Sequence, residues 1–553
     1  MDRNPDASLR PTFPWKLALA LFFSGAFAMP LILNIAYRAD PLTIANESLA
    51  YRFLFSERLL NGEGSSVWVL AGFLTTAIQT TILKVINLCS AFPQGDLQDR
   101  THWFAYLFTG GIVVSGVFVY LTAAAQRSMR IVDLALLGLV GLGPLYVTRT
   151  IGFYYYSLPD YYHLNVLLAL LAVWFFQLAW HCRECDLSPS YATLRVILAG
   201  LFTGAICANK VTMAIIAVPL LLAVVFRRDA KALGVVRDTL LALAACVIGF
   251  LFVIWWFYLF KFSAVRGMFG VWIATIRNPG GESSFWSSDF RNYLTSYSYG
   301  YIIAFYLFAV AVAMGFAVRA SKRSALRFGV LTASLAGGVA WTYFVMKRPA
   351  GTTFFEGAVA LMGLSGIALT TITRQRFGTL LVGLVAFGWT CFAVCTFQLR
   401  ESIDTMVLSK PWADEMWRLH RELLEFAKGR AIVVIHPRNE YGYGGVEEFL
   451  LKGTADVQTW NVSANGRPIL DRYAPRMTFR HEYGTNPNAP FPAGAVVFWV
   501  DRPEFPPLVE RYSLLKAAVH RTDTLHRDWA IMIQDGHTLI RPNAILLADN
   551  ATP

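Results

Sequence analysis

Two carboxylates stand where charge is costly unless it has a task. Asp40 directly follows the first apolar stretch, in Tyr37-Arg-Ala-Asp40-Pro41. Asp160 precedes a later one, in Tyr154-Tyr-Tyr-Ser-Leu-Pro-Asp160-Tyr-Tyr-His163. Charged residues within membrane-type helices are rare and tend to be functional, so those at the ends of apolar stretches come first in a search for chemistry. A carboxylate within hydrogen-bond reach of a hydroxyl acts as a general base. Capping competes with this, most directly for Asp160, because Asp is a leading N-cap residue. Basic residues recur near such ends: Arg149, Lys210 in Cys207-Ala-Asn-Lys210-Val-Thr212, and Lys347-Arg348-Pro349 ahead of Gly351-Thr-Thr353. Fixed positive charge stabilises an anionic leaving group, although a basic side chain at a helix end also snorkels to headgroups. Tyr154, Tyr155, Tyr156, Tyr161 and Tyr162 either line a substrate groove or form an aromatic belt. His163 has no His or Cys partner at ligand spacing, and zinc sites need several ligands. Packing is its simpler role, and its position keeps it among the substrate-binding candidates with Tyr156 and Tyr161.

The elements that must position these residues are membrane helices. Of 553 residues, 56% are hydrophobic and 15% charged, and mean hydropathy is +0.46. Soluble proteins carry about 25% charged residues, so a soluble enzyme, a disordered chain and a disulfide-built secreted module are excluded. The 41 Phe, 23 Tyr and 16 Trp suit long membrane–water boundaries. The net charge of +12 falls mostly in short gaps between apolar runs, which points to topology and to no nucleic acid. Apolar stretches of spanning length lie at 15–36, 103–124, 131–148, 164–181, 237–260, 299–318, 327–345, 354–372 and 377–398. Residues 193–226, broken by Ala208-Asn209-Lys210, read as a hairpin of two more, giving about eleven spans. The first is too long for a signal peptide and lacks a cleavage site.

Residues 67–88 are apolar but interrupted by Thr75, Thr76, Gln79, Thr80, Thr81 and Lys84. If they lie at the outer interface, the clusters at 127–130, 227–231, 319–323 and 374–376 all fall inside, as Lys/Arg bias demands. The N-terminus is then cytoplasmic, 37–102 forms a long first outer loop, and 399–553 is extracytoplasmic. Residues 44–60 are amphipathic and suit a membrane surface, and the Gly-containing loop 261–298 suits either a lid or a static cover. Among seven cysteines, Cys182-Arg-Glu-Cys185 is a lone CxxC, read as a free pair. The segment 399–553 reads as a small α/β domain: an amphipathic helix over 411–428, strands at 431–435 and 495–500, a helix over 507–519, and a hairpin from 529–533 to 538–540 around Asp535-Gly536.

This layout resembles the GT-C superfamily of membrane glycosyltransferases. The shared features are an acid just past the first span, interfacial helices in the first outer loop and an acid in the second outer loop. They continue in a bundle of about eleven spans and an outer C-terminal domain. The superfamily includes protein O-mannosyltransferases, lipid A aminoarabinose transferases and oligosaccharyltransferase catalytic subunits. In many relatives the first motif is an Asp-Glu pair. Here it is Ala39-Asp40-Pro41, so Asp40 acts alone or with Glu47. The C-terminal segment has no Trp-Trp-Asp motif, which counts against an oligosaccharyltransferase.

The resemblance implies an inverting transfer of a sugar from a polyprenyl-phosphate carrier to a hydroxyl on a glycan, lipid or protein acceptor, at the outer face of an inner (plasma) membrane. It implies Asp40 as base, with Asp160 orienting the acceptor, raising the base's pKa or helping to hold a divalent metal ion. No metal ligand set is assigned. Lys210 and Arg348, then Lys347 and Arg149, are the implied contacts to the carrier phosphate. An O-antigen-ligase-like or polymerase-like enzyme using diphosphate-linked glycans is the nearest alternative, but such enzymes place their key residues late in the bundle. A secondary transporter would show internal pseudo-symmetry, and none is visible.

Overall fold

The computed structural model describes residues 13–37, 40, 47–62, 72–89, 96–147, 161–184, 189–209, 232–261, 265–266, 398–436, 445–455, 462–464, 466–481, 489–521, 524–532 and 539–549. Its first eight helices are α1 (Phe13–Tyr37), α2 (Glu47–Leu60), α3 (Phe73–Leu88), α4 (Leu97–Ala125), α5 (Ile131–Val147), α6 (Tyr161–Glu184), α7 (Pro189–Asn209) and α8 (Ala232–Phe257). Among the described residues, Pro14–Ala36, Leu97–Ala125 and Val236–Phe257 are long and apolar enough to cross a membrane. Shorter apolar helices run over Phe73–Leu88, Ile131–Leu145, Tyr162–Phe175 and Thr193–Asn209. These helices occupy six of the expected spans, including the first arm of the 193–226 hairpin. The other expected spans, the 261–298 loop and Cys185 lie outside the described residues or nearly so.

The chain divides into two compact units that do not follow its linear order. One comprises Met1–Leu33, Gly64–Ala77 and Phe108–Ile403. The other comprises Asn34–Glu63, Ile78–Leu107 and Asp404–Pro553. Within the first, α7 and α8 approach closely because small residues face backbone. A β-carbon on Gly200 would collide with the Ala242 carbonyl, one on Gly204 with that of Cys246, and one on Gly249 with that of Leu201. Gly200-Leu-Phe-Thr-Gly204 thus has the small-residue spacing that membrane helices use to pack without a hydrophobic driving force.

The second unit is built on a sheet. After α9 (Gln398–Ala427) come β1 (Ile432–His436), α10 (Val446–Thr454), α11 (Arg467–Tyr473), β2 (Met477–His481) and β3 (Val496–Asp501). Next are α12 (Leu508–Arg511), α13 (Ser513–Val519), β4 (Leu525–Asp528), β5 (Ile531–Met532) and β6 (Leu539–Leu546). Strand order is β2-β1-β3-β6-β4, with β5 also on β6. The pairs β1–β2 and β1–β3 are parallel, and β6 is antiparallel to β3, β4 and β5. Both sheet faces are buried, which is why β1 and β3 read as continuous apolar runs. Ile432, Val434, Val496 and Phe498 share a core with Trp412, Met416 and Leu419 of α9 and with Phe53, Leu54, Leu83 and Phe104. Val433, Ile435, Val497 and Trp499 pack with Leu508, Tyr512 and Leu515 on the other face.

The expected strands at 431–435 and 495–500 are therefore present. The expected helix at 411–428 is longer, and the one at 507–519 is two short helices. The helix α2 differs from the surface-lying element expected from its pattern. Arg52 to Leu59 are all buried, Arg52, Glu57 and Arg58 included, because α10 lies against it so closely that a β-carbon on Gly453 would collide with Leu54.

Candidate active site

Asp40 comes three residues after the end of α1 and is 3% exposed. Its Oδ2 accepts a hydrogen bond from Trp417 Nε1 at 2.7 Å. His102 Nε2 stands 3.4 Å from the same oxygen. Two distant segments thus converge on this carboxylate. Trp417 belongs to the apolar face of α9, and His102 lies on the second turn of α4, its ring stacked on Tyr106 one turn later at 6.2 Å and 14°. Behind Trp417, one helical turn on, the His420 ring sits edge-on at 6.5 Å. His420 Nδ1 is 2.8 Å from Glu447 Oε1 of α10, and both side chains are buried. The Trp417 hydrogen bond limits rotation of this carboxylate, and orientation is a prerequisite for proton transfer at a defined atom.

The same unit is fastened by a buried polar cluster. Arg100 NH2 donates to Glu57 Oε1 at 2.6 Å and to Asn87 Oδ1 at 2.7 Å, and its Nε donates to the Tyr473 hydroxyl at 2.6 Å. The Tyr473 hydroxyl in turn donates to Glu57 Oε1 at 2.8 Å, while Arg472 NH1 reaches Glu57 Oε2 at 2.8 Å. Burial, and after it the Glu57 charge, hold the Tyr473 hydroxyl above the usual phenol range. This cluster ties α2, α3 and the start of α4 to α11. It fixes the α4 turn that carries His102.

In the other unit, polar residues gather at the end of α7. Asn209 Oδ1 accepts from Thr75 N at 3.1 Å and from Thr75 Oγ1 at 2.9 Å, and Asn209 Nδ2 donates to Asn165 Oδ1 at 2.6 Å. Each group is buried, so each bond satisfies a polar atom that would otherwise be costly in an apolar bundle. His163 belongs to this unit. It is 1% exposed and packs on Phe27 with ring centroids 4.9 Å apart.

Of the residues nominated from sequence, Asp40 and His163 are placed with their side chains, one in each unit. Glu47 is the first residue of α2 and Tyr161 the first of α6. Asp160, Lys210, Lys347, Arg348, Arg149 and Tyr156 lie outside the described residues. Sequence reasoning missed Trp417, His102, Glu57 and Arg100. The polar run Asp99-Arg-Thr-His102 at the head of an apolar helix was a signal for the last of these and for His102. Trp417 gave none, because its place on an amphipathic helix fits a core residue equally well. Among the described residues no group of three or more His, Cys, Asp or Glu could hold a metal ion.

No family model matches the chain, and no curated protein matches it. Among solved structures, ArnT from Cupriavidus metallidurans in the apo state aligns with a TM-score of 0.52 at 12% identity, over 96% of this chain and 98% of that one. The same protein bound to undecaprenyl phosphate aligns with a TM-score of 0.46 at 13% identity, again over 96% and 98%. The apo oligosaccharyltransferase of Archaeoglobus fulgidus aligns with a TM-score of 0.46 at 10% identity over 88% of this chain, which spans 66% of that protein's length. The likeness to apo ArnT shows a GT-C-like fold.

Proposed function

We propose that the chain is a membrane glycosyltransferase that moves a sugar from a polyprenyl-phosphate carrier to an acceptor hydroxyl, with Asp40 as general base. The observation that carries this reading is the buried Asp40 carboxylate, held on Oδ2 by Trp417 and neighboured by His102, in a chain of GT-C-like fold. ArnT binds undecaprenyl phosphate, and we extend that carrier class to this chain.

A sugar linked to a lipid phosphate is already activated, since phosphate is a good leaving group. The acceptor hydroxyl is the weak partner and needs its proton removed as it attacks. Asp40 accepts that proton, and the oxygen bonds to the anomeric carbon as the carbon–phosphate oxygen bond breaks on the opposite face. The phosphate leaves with the bonding pair, and the anomeric centre inverts. Asp160 orients the acceptor. Lys210 and Arg348, with Lys347 and Arg149 behind them, meet the leaving phosphate. Glu47, Tyr156, Tyr161 and His163 complete the substrate-binding set. Residues 1–398 serve as the membrane catalytic part and 399–553 as an extracytoplasmic domain. The membrane is the inner membrane, with the N-terminus cytoplasmic.

The test is Asp40→Asn in the full chain, assayed by sugar incorporation from radiolabelled short-chain polyprenyl-phosphate donors into native membranes. Loss of a general base lowers turnover by roughly 100- to 10,000-fold, with donor binding and folding retained. Turnover near that of the native chain would remove Asp40 from the chemistry.

A further inference from the structure

We infer that Trp417, a residue of the C-terminal segment with no catalytic signature of its own, is the positioning residue that fixes Asp40 for proton transfer. This rests on the assignment of Asp40 as base and extends it to the part of the chain whose role the sequence leaves blank. A carboxylate on a short side chain rotates about its last bond and presents either oxygen. The Trp417 N–H meets Oδ2 at 2.7 Å, a charge-assisted geometry, and His102 approaches the same oxygen. The Trp417 hydrogen bond ties Oδ2 down and so limits rotation of the carboxylate about its last bond.

The donor is itself held rigidly. Trp417 is 3% exposed and shares a core with Trp412, Met416, Leu419 and Leu423 of its own helix and with the sheet residues Val434 and Phe498. The His420 ring backs it and is anchored by Glu447. An indole in the core needs only apolar neighbours and some acceptor for its N–H. Here the acceptor is the carboxylate nominated from the sequence as general base, 377 residues away along the chain. The inference is that docking of α9 completes the base, so that the C-terminal segment belongs to the catalytic apparatus without touching substrate.

The experiment compares Asp40→Asn, Trp417→Phe and a benzothiophene analogue of tryptophan at 417, in which sulfur replaces the N–H at nearly the same volume. All are full-length chains assayed with the same labelled donors, and folding is checked by thermal unfolding. Loss of one charge-assisted hydrogen bond corresponds to a 10- to 150-fold fall in kcat, with the donor KM held. In the Asp40→Asn background the Trp417 change should cost nothing further, because the two act as one unit. If Asp40→Asn is inactive while the folded analogue keeps native kcat, Trp417 is a packing residue and the inference is overturned. If Asp40→Asn retains native turnover, it is the assignment of the base that fails. Equal losses of stability in the Phe and analogue proteins, with kcat unchanged in the folded fraction, also overturn it.

Discussion

Arg100 and Glu57 meet at 2.6 Å with side chains 1% and 2% exposed, so a full ion pair is buried between two helices of one compact unit. Burying two charges is compensated only when their remaining hydrogen-bonding capacity is also met. Asn87 and Tyr473 do this for Arg100, and Tyr473 and Arg472 do it for Glu57. The pair holds α4 in place two residues before His102. Through α4 it bears on the surroundings of Asp40.

Breaking the pair should therefore be severe. Glu57→Gln strands the buried Arg100 charge and is expected to cost about 3–5 kcal/mol of stability. Replacing both residues with Met should recover much of that loss, since apolar packing of similar volume is often neutral at such sites. Denaturant unfolding of the three proteins checks it. A loss within about 0.5 kcal/mol, as for an ordinary surface change, would contradict the structure.

A pH dependence follows from Glu422. The Trp529 N–H at 2.8 Å, with Arg418 and Arg527 beside it, holds this carboxyl below its usual range of about 4.5. A depressed folded-state pKa means that the unfolded chain takes up the proton first. The stability it supplies is present above about pH 4.5 and is lost as pH falls through the folded value. Glu422→Gln should flatten that part of the stability–pH curve and leave the curve above pH 5 parallel to the native one. A steeper acid limb in the variant would reverse the sign.

Topology is open to thiol labelling. In a cysteine-free background, a cysteine at the exposed Glu504 should react with a membrane-impermeant reagent added from outside. One at the exposed Arg127 should react only after the membrane is opened. The reverse pattern would put the C-terminal segment and Asp40 on the cytoplasmic side.

The proposed phosphate contacts are tested by exchange of Arg for Lys. Arg348→Ala should weaken productive use of a short-chain polyprenyl-phosphate donor by roughly 10- to 150-fold. Arg348→Lys should restore only part, because Lys lacks the planar bidentate fork. A snorkelling Arg348 would make the Lys exchange silent, and the phosphate site would then rest on Lys210 and Arg149.

What the sequence determined by itself is what repeats locally. Apolar runs of spanning length and β-branched strands such as Ile432–Ile435 are set by neighbours a few residues apart, while the Asp535-Gly536 turn signal lies outside the described residues. Hydropathy and backbone preference are legible at that range. Asp40 stood out as a candidate, because a charge at the end of an apolar run draws notice without any knowledge of its partners. Tertiary structure alone decided those partners. Nothing near Trp417 in the chain says that its N–H meets a carboxylate 377 positions earlier. Nor does the pattern of Glu47–Leu60 reveal that its charged face is buried against protein, since amphipathic helices pair with lipid surfaces and with protein cores by the same pattern. That choice depends on which surface is available, and here Gly453 and the Arg100–Glu57 pair supply a protein one.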